Sequence, residues 1–461
     1  MPAVDTVSPP VKLLPGERLE SVRELDLRNP PTMPDALDEL CKLTGVDRPE
    51  DIGLNGPAIA ARVSDQNAGE ASLRLFEVVF GRDSLTLALV VGDLFPRLLE
   101  TTVLYLAGIQ GREFNALREE EPGRIAHEIR DVETDGLWGF PYYGAVDSTP
   151  LFIRAALRAI ERRPEFAGVQ VPGREACVRD SLEAAVAWLL RRLAEDELGL
   201  LSHHRTNPHG LENQVWKDSW DSMSHADGAV CNHDAPVASV EAQALAFDSL
   251  IEASAQHPTP GVLLEAADKL ERAVEEHLWM DDPEGGYYAI GVDRDPKSGA
   301  PRRLETRASN MGWLLDSRLL DGPEHAQRRQ RIVELLLSDE FLAEGGIRTL
   351  SAREQRFRPR AYHNGNVWSH DNYVISVGFA RHGFRDEALE LQRRLVASCH
   401  ATHRFPEFVA GGEPGTELIA KRIVDVYDTE NERVNRVEQP PQEIQGWTVG
   451  AMVAIEYLPP L

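Results

Sequence analysis

The feature that most constrains the fold of this chain is a long series of amphipathic helical segments. In residues 178–196 the apolar residues recur at the spacing of one helix face, namely Val178, Leu182, Ala185, Leu189 and Leu193. The same spacing in VEAQALAFDSLIEA, DEALELQRRLVASC and WTVGAMVAIEYL predicts roughly a dozen helices between residue 80 and the C-terminus. Strands are predicted only locally, as in GGYYAIGVDRD, and no regular strand–helix alternation favours a Rossmann fold or a (β/α)8 barrel. The sequence therefore predicts an all-α fold.

The loops between these helices are rich in Trp, Tyr, His and Asp, as in FGRDS, GLWGFPYYGAVDSTP, NQVWKDSWDSMSH, YHNGNVWSHDN and RFPEF. A closed ring of helix pairs would bring such loops together at one end. We therefore expect two regions: an irregular N-terminal extension over residues 1–70, with one short helix near residues 34–43, and a single helical domain over residues 71–461.

Composition excludes several classes of protein. The net charge of -26 and the pI of about 5.0 argue against a nucleic-acid partner, since phosphate binding needs a basic surface. The four cysteines form no CxxC pair, and the histidines show no HExxH or paired-ligand spacing, so no metal site is predicted. No signal peptide or membrane span is visible, which predicts a cytoplasmic protein without a membrane partner.

The loop composition indicates a carbohydrate site. Aromatic faces stack on the CH faces of a pyranose, while carboxylates and amides bind its hydroxyl groups. Hydrolysis of a glycoside also needs two carboxyl groups, one protonated and one ionised. The candidates are Asp218 and Asp221, each within two residues of a tryptophan, and Glu407 in the stiff RFPEF segment. The residues alone do not choose between the two aspartates.

Together, FGRDSL, EEPGRIAHEIRD, YYGAVDSTPLF, NQVWKDSWDS, APVASVEAQALAF, GGIRTLS, YHNGNVWSHDN and RFPEF resemble the glucosidase domain of glycogen-debranching enzymes. More distantly they resemble glucoamylases. The resemblance runs in order from about Phe80 to the C-terminus. It implies an (α/α)6 barrel, a six-hairpin toroid with short local β-hairpins. It also implies an inverting, exo-acting hydrolase that releases glucose from an α-glucoside without a cofactor.

The resemblance implies Asp221 as the general acid, because in the related trehalases the last aspartate of the corresponding motif has this role. It implies Glu407 as the general base. Arg82 and Asp83 match a pair that binds the outer hydroxyls of the terminal glucose. The full set of implied substrate-binding residues is Arg82, Asp83, Tyr143, Asp147, Trp216, Lys217, Asn366, Trp368, His370 and Asp371.

Two departures from the debranching motifs bear on the substrate. Trp220 stands where the usual motif has glycine, and Ser369 precedes His370 where proline is usual. With a short N-terminal region as well, these changes suggest a small oligosaccharide or a glucosylated metabolite as the substrate. The sequence shows no coiled-coil or interface motif, so both a monomer and a homodimer stay open. Two alternatives stay open: a phosphorylase or epimerase on the same barrel, and a carbohydrate-binding protein without catalysis.

Overall fold

The computed structural model describes residues 35–63, 76–131, 138–413, 415, 418, 422–428 and 433–459, with the backbone alone over 422–428 and 433–439. Over these residues it contains twelve α-helices. They are α1 (Ala36–Leu43), α2 (Gly81–Val91), α3 (Pro96–Gly108), α4 (Ser148–Arg162), α5 (Val178–Glu195), α6 (Val240–Ser254), α7 (Pro260–His277), α8 (Trp313–Asp316), α9 (Ala326–Leu336), α10 (Ser369–Arg381), α11 (Arg385–Thr402) and α12 (Gly446–Tyr457). The prediction of a mostly helical protein is confirmed.

The even-numbered helices contact one another in a closed ring, in the order α2, α4, α6, α8, α10, α12 and back to α2. The odd-numbered helices lie outside it: α3, α5, α7 and α11 each pack on the inner helix that precedes them, and α1 packs on α12. Helix α9 contacts the 3-10 turn Ser309–Gly312, which leads into α8. The chain therefore alternates between an inner and an outer layer.

The burial patterns explain which helices lie inside. Helix α12 is apolar on all sides, and ten consecutive residues, Gly446 to Ile455, are buried. Helix α7 instead buries a single stripe, made of Leu263, Ala267, Leu270, Ala273 and Val274. A helix that is hydrophobic all round must be surrounded by protein, whereas a one-sided helix covers the core and faces water.

Fifteen strands, most of them very short, occur in the described residues. They are β1 (Ala61–Arg62), β2 (Val79–Phe80), β3 (Glu128–Ile129), β4 (Ala238–Ser239), β5 (Trp279–Met280), β6 (Tyr287–Tyr288), β7 (Gly291–Arg294), β8 (Pro301–Leu304), β9 (Leu342–Ala343), β10 (Gly346–Ile347), β11 (Val367–Trp368), β12 (Phe408–Val409), β13 (Arg422–Asp428), β14 (Arg433–Gln439) and β15 (Ile444–Gln445). Strands β6 and β7 fall in the segment where the sequence predicted a strand.

Four of these strands end where an inner helix begins. β2, β4, β11 and β15 run directly into α2, α6, α10 and α12. Their partners are β3, β7, β12 and β1, all antiparallel. These pairings fix the entry of the chain into the inner layer, and with it the side chains of each first helical turn.

The described part of the predicted N-terminal extension, residues 35–63, packs on the helical body. Helix α1 contacts α12, and β1 pairs with β15 through Ala61 opposite Gln445. Residues 1–34 and 64–70 lie outside the described residues. Within the described part of the chain, no helix has the length and apolar character needed to cross a bilayer.

Candidate active site

The N-terminal turns of the inner helices carry most of the polar side chains that the sequence singled out. Arg82 and Asp83 lie in the first turn of α2, Asp147 directly precedes α4, and His370 and Asp371 lie in the first turn of α10. These side chains are brought together because the inner helices form one ring and enter it from the same end. The prediction that the polar loops meet at one end therefore agrees with the structure.

Arg82 is the centre of an acidic cluster. Its Nε atom donates to Asp147 Oδ2 at 2.7 Å, and its Nη1 atom lies 3.6 Å from Asp218 Oδ2. Arg82 and Asp147 are almost fully buried, whereas the Asp218 side chain keeps 30% of its surface exposed. Asp83 is also buried and accepts a hydrogen bond from Gln445 Nε2 at 3.1 Å. Asp218 is thus the more open acid of this cluster.

Crowding of carboxyl groups changes their protonation. Burial raises the pKa of Asp218 to about 6; Arg82 opposes this rise, and the negative charges of Asp147 and Glu407 add to it. Burial likewise raises the pKa of Asp83 to about 7, against Arg82 and with help from Asp218 and Glu407. Desolvation and like charges both disfavour the ionised form. Around neutral pH this cluster therefore holds protons that ordinary aspartates would have lost.

Glu407 is held from two directions. Tyr362 Oη donates to its Oε1 atom at 2.5 Å, and the backbone N–H of Gln442 donates to Oε2 at 3.1 Å. Its own N–H donates to Gln442 O at 3.0 Å, and its side chain is buried. Strand β12, which follows Glu407, pairs with β11 through Trp368 and Phe408. The carboxylate is therefore fixed beside the N-terminal end of α10.

Asp221 occupies a different environment from Asp218. Its Oδ2 atom accepts from Arg356 Nη2 at 3.1 Å and from Asn364 Nδ2 at 3.2 Å. Asn364 Nδ2 also donates to the backbone oxygen of Asp221 at 3.0 Å. An acid catalyst must donate a proton, but this carboxylate serves as an acceptor for a guanidinium and an amide. The two acids of this loop therefore have different partners: Asp218 lies next to Arg82, whereas Asp221 pairs with Arg356 and Asn364.

Aromatic rings form a buried wall beside the acidic cluster. Trp216 lies 6.2 Å from Trp313 in a stacked arrangement and meets His370 edge-on at 4.7 Å. His370 in turn stacks on Trp447 at 3.8 Å. Trp368 packs edge-on against Trp216 at 5.7 Å and donates through Nε1 to Tyr362 O at 2.8 Å. The structure thus brings Trp216, Trp368 and His370 together, as the sequence predicted.

Lys217 and Asp371 have partners within the protein. Lys217 Nζ is buried, donates to Thr349 O at 2.7 Å and lies 3.4 Å from Ser309 Oγ, and desolvation lowers its pKa to about 8. Asp371 is buried and accepts from Trp313 Nε1 at 2.7 Å. These contacts favour a supporting role behind the aromatic wall over the predicted direct contact with a sugar.

Tyr143 lies away from the cluster. Its hydroxyl donates to Ile109 O at 2.6 Å, just after α3, and the charged groups around it are Glu120, Arg118 and Arg174. The structure therefore does not support Tyr143 as a substrate contact, because the hydroxyl is engaged between α3 and the loop before α4. Asn366 is fully buried, and neither polar atom of its side chain has a hydrogen-bond partner among the described residues.

Several residues of the site were not predicted from the sequence. Glu241 in the first turn of α6 is buried, and the side chains of Asn310, Ser239 and Lys217 act on its carboxyl group. In the described part of the chain neither carboxyl oxygen has a partner in full hydrogen-bond geometry. Tyr362 and Gln442 hold Glu407, and Gln445 holds Asp83. Glu241 stands in APVASVEAQALAF and Tyr362 in YHNGNVWSHDN, so the motifs contained a signal for both. Among the described residues, no three His, Cys, Asp or Glu side chains converge as a metal site.

A family model matches the part of the chain that holds these acids. It is the mannosylglycerate hydrolase MGH1-like glycoside hydrolase domain, and it matches residues 174–410, just over half of the chain. The matched residues include Asp218, Asp221, Glu241 and Glu407, whereas Arg82 and Asp83 precede them. No curated protein matches the sequence.

Several solved structures share the fold. One is a GH63 mannosylglycerate hydrolase from Thermus thermophilus in complex with glucose, with 17% identity and a TM-score of 0.56, over 91% of this chain and 98% of that one. An uncharacterized conserved protein from the same organism has 14% identity and a TM-score of 0.56, over 92% and 99%. A wild-type glycosidase has 13% identity and a TM-score of 0.53, over 95% of both chains.

Proposed function

Because the chain belongs to the mannosylglycerate hydrolase MGH1-like family of glycoside hydrolase domains, we propose that it releases a single hexose from a small α-glycoside, with inversion. Membership in the family confirms the predicted glycoside hydrolase. The family is a different one from the debranching-enzyme glucosidases that the motifs resemble. We also infer that the ring of six inner helices with its outer layer is the predicted (α/α)6 barrel.

In this proposal Asp218 is the general acid and Glu407 the general base. Asp218 protonates the glycosidic oxygen, and Glu407 takes a proton from the water that attacks the anomeric carbon from the opposite face. The single observation that carries the assignment is the place of Asp218 in the Arg82 cluster, where burial and neighbouring carboxylates raise its pKa to about 6. A general acid works best when its pKa lies near the working pH.

The other residues of the cluster hold the sugar. Among the described residues, the Nη2 atom of Arg82 and the Oδ1 atom of Asp147 have no hydrogen-bond partner, so both can bind hydroxyl groups. Trp216 and Trp368, both almost fully buried, form the aromatic wall that supports this cluster. The loop motifs resemble those of α-glucosidases, which favours glucose as the hexose released.

The aglycone is proposed to be small. Trp220 has 58% of its surface exposed close in sequence to Asp218, and the Arg356 guanidinium lies 5.7 Å from its ring centre. This bulky pair lies beside Asp221 and limits the space on the leaving-group side. One of the proteins that shares the fold is a mannosylglycerate hydrolase, so a hexose linked to a small organic acid is the first substrate class to test.

The test is a screen of purified protein with α-glucosyl- and α-mannosylglycerate, maltose, isomaltose and trehalose, followed by proton NMR from the first minute. We expect release of one hexose, first seen as the β-anomer. The Asp218→Asn variant, purified in parallel, controls for contaminating glycosidases. First appearance of the α-anomer would establish a retaining enzyme. A requirement for inorganic phosphate would establish a phosphorylase, and no turnover of any substrate would remove the proposal.

A further inference from the structure

A small cavity lies next to the acidic cluster, in the middle of the ring of inner helices. Arg82 and Asp147 line both sites, but Asp83, Asp218 and Glu407 do not line the cavity. Its other walls include Thr86, Leu151 and Leu245, which lie about one turn further along α2, α4 and α6 than the polar side chains of their first turns. The cavity therefore extends about one helical turn past the first turns of α2, α4 and α6, and Arg82 and Asp147 separate it from the other acids of the cluster.

The polar side chains around this cavity lack partners to an unusual degree. Among the described residues, eight buried polar atoms of its lining have no partner in full hydrogen-bond geometry, and all six side chains that carry them are more than nine-tenths buried. The Glu241 carboxyl group does lie close to the side chains of Asn310 and Ser239. They are Arg82 Nη2, Asp147 Oδ1, Trp216 Nε1, both oxygens of Glu241, both ring nitrogens of His370 and Trp447 Nε1. Buried polar groups in folded proteins almost always have partners. So many unpaired polar atoms around one cavity therefore indicate that it binds a polar group of a ligand.

The size of the cavity and the polar groups that line it indicate which ligand group it can bind. It admits about one water-sized group, which is far too small for a pyranose ring and suits one hydroxyl group. A hydroxyl donates one hydrogen bond and accepts others. The lining supplies donors in Arg82, Trp216 and Trp447, and carboxyl groups in Asp147 and Glu241. Burial raises the pKa of Glu241 to about 7, so this carboxyl group can donate as well as accept around neutral pH. Burial holds the pKa of His370 well below its ordinary value, so its neutral ring offers one donor and one acceptor.

We infer that this cavity receives one hydroxyl group of the bound hexose, on the side away from the leaving group, and that Glu241 determines which hydroxyl is required. The inference rests on the proposed function for the orientation of the sugar. A hydroxyl enclosed in so small a cavity cannot carry a further sugar, which makes the enzyme strictly exo-acting. It also makes the enzyme reject a hexose that lacks this hydroxyl.

The test combines a substitution in the protein with deletions in the ligand. Binding of glucose, mannose and the four monodeoxyglucoses is measured by calorimetry on the wild-type protein and on Glu241→Gln. We expect one deoxy position to weaken binding by about 10–100-fold, as for a lost buried hydrogen bond. Glu241→Gln should weaken glucose binding by a similar factor. On this variant, the sensitive deoxy sugar should bind less than about 3-fold more weakly than glucose, because the hydrogen bond is already lost.

The matched control is Glu265→Gln, the same isosteric change at an exposed glutamate of α7, which pairs with Lys269. It should bind all sugars as the wild type does. If Glu241→Gln weakens every sugar by the same factor, Glu241 has only a structural role and the inference fails. If no deoxy position matters and Glu241→Gln binds normally, the cavity holds only a structural water, and the inference fails as well.

This outcome is distinguishable from failure of the proposed function. Calorimetry of free sugars does not require turnover. If no α-glycoside is hydrolysed but one hydroxyl position still couples to Glu241, the cavity binds sugar and the hydrolase proposal is wrong. If an α-glycoside is hydrolysed but neither glucose nor mannose shows a position that couples to Glu241, the hydrolase stands and the cavity inference is wrong.

Discussion

Two arginine-centred clusters each hold one aspartate of the same loop. The inner cluster consists of Arg82 with Asp83, Asp147, Asp218 and Glu407, and the rim cluster consists of Arg356 with Asp221 and Asn364. The two aspartates of the loop are three residues apart in sequence, yet each belongs to a different cluster. Their side-chain exposure is nearly equal, at 30% and 31%, so exposure alone does not separate them.

What separates the clusters is the balance of charge. In the inner cluster the carboxyl groups are desolvated by burial and share one guanidinium, so some of them keep their protons. In the rim cluster one guanidinium serves one carboxylate, which also has an amide donor. An excess of carboxyl groups prepares an acid for proton transfer, whereas a matched pair stabilises the loop. The three predictions below test this difference.

The largest expected effect is on turnover. Asp218→Asn should lower kcat/KM by about 10²–10⁴-fold on a glycoside with a poor leaving group, because the proton donor is lost. Asp221→Asn should stay within about 10-fold of the wild type, since it removes only a rim contact. Steady-state kinetics on the natural leaving group and on a nitrophenyl glycoside provide the measurement. With the better leaving group, the loss in Asp218→Asn should shrink. A larger loss in Asp221→Asn than in Asp218→Asn would reverse the assignment.

The next effect is on pH dependence. The acid must be protonated in the free enzyme, and its cluster has pKa values of about 6 for Asp218 and about 7 for Asp83. We therefore expect kcat/KM to fall about tenfold per pH unit above an apparent pKa between these values. Asp221→Asn should show the same decrease of kcat/KM at high pH, because the rim cluster does not supply the proton. A profile of kcat/KM from about pH 4 to 9 is the measurement; a plateau that extends to the alkaline end would contradict the assignment.

The smallest expected effect is on stability, and it has opposite signs in the two clusters. The pKa of Asp83 is raised in the folded state, so the native protein binds more protons than the unfolded chain between about pH 4 and 7. The corresponding stability is present at about pH 4 and is lost as the pH rises through about 7. Asp83→Asn should therefore be more stable than the wild type at about pH 8, by about 1–3 kcal/mol.

Asp221→Asn should instead lower the free energy of unfolding at about pH 8, by about 0.2–1 kcal/mol, because Arg356 loses the carboxylate partner of a partly exposed ion pair. Urea denaturation of both variants and the wild type at about pH 4, 6 and 8 provides the comparison. If both variants lose stability at the highest pH, charge crowding in the inner cluster is not the cause of the raised pKa values.

Residues whose role follows from local motifs were the easiest to predict. Glu407 stands out in RFPEF because proline and aromatic neighbours stiffen its loop, and Arg82 with Asp83 stands out at the start of α2. Glu241 was harder to recognise, since a glutamate in the first turn of a helix is usually a solvated or capping residue. Only the closure of the ring shows that the first turn of α6 faces the cavity.

Tyr143 is the opposite case, a residue that the motif suggested for the site but whose side chain points elsewhere. Its motif placed it near the site, but its side chain turns to α3 and donates to Ile109 O, while its neighbour Asp147 reaches Arg82. The choice between Asp218 and Asp221 has the same origin. Alignment with related motifs selects Asp221 of the two acids in this loop. The direction of each side chain, however, depends on Arg82 and Arg356, which are distant from the loop in sequence.

The sequence by itself determined the helical architecture, the clustering of the polar loops at one end and the class of chemistry. These follow from periodicity and composition, which are properties of neighbouring residues. Only the tertiary structure decided which acid shares Arg82, which acid pairs with Arg356, and which polar atoms of the described residues remain without partners in the central cavity. Protonation depends on burial and on charges a few ångströms away, and these distances are fixed only when helices far apart in the chain close into a ring.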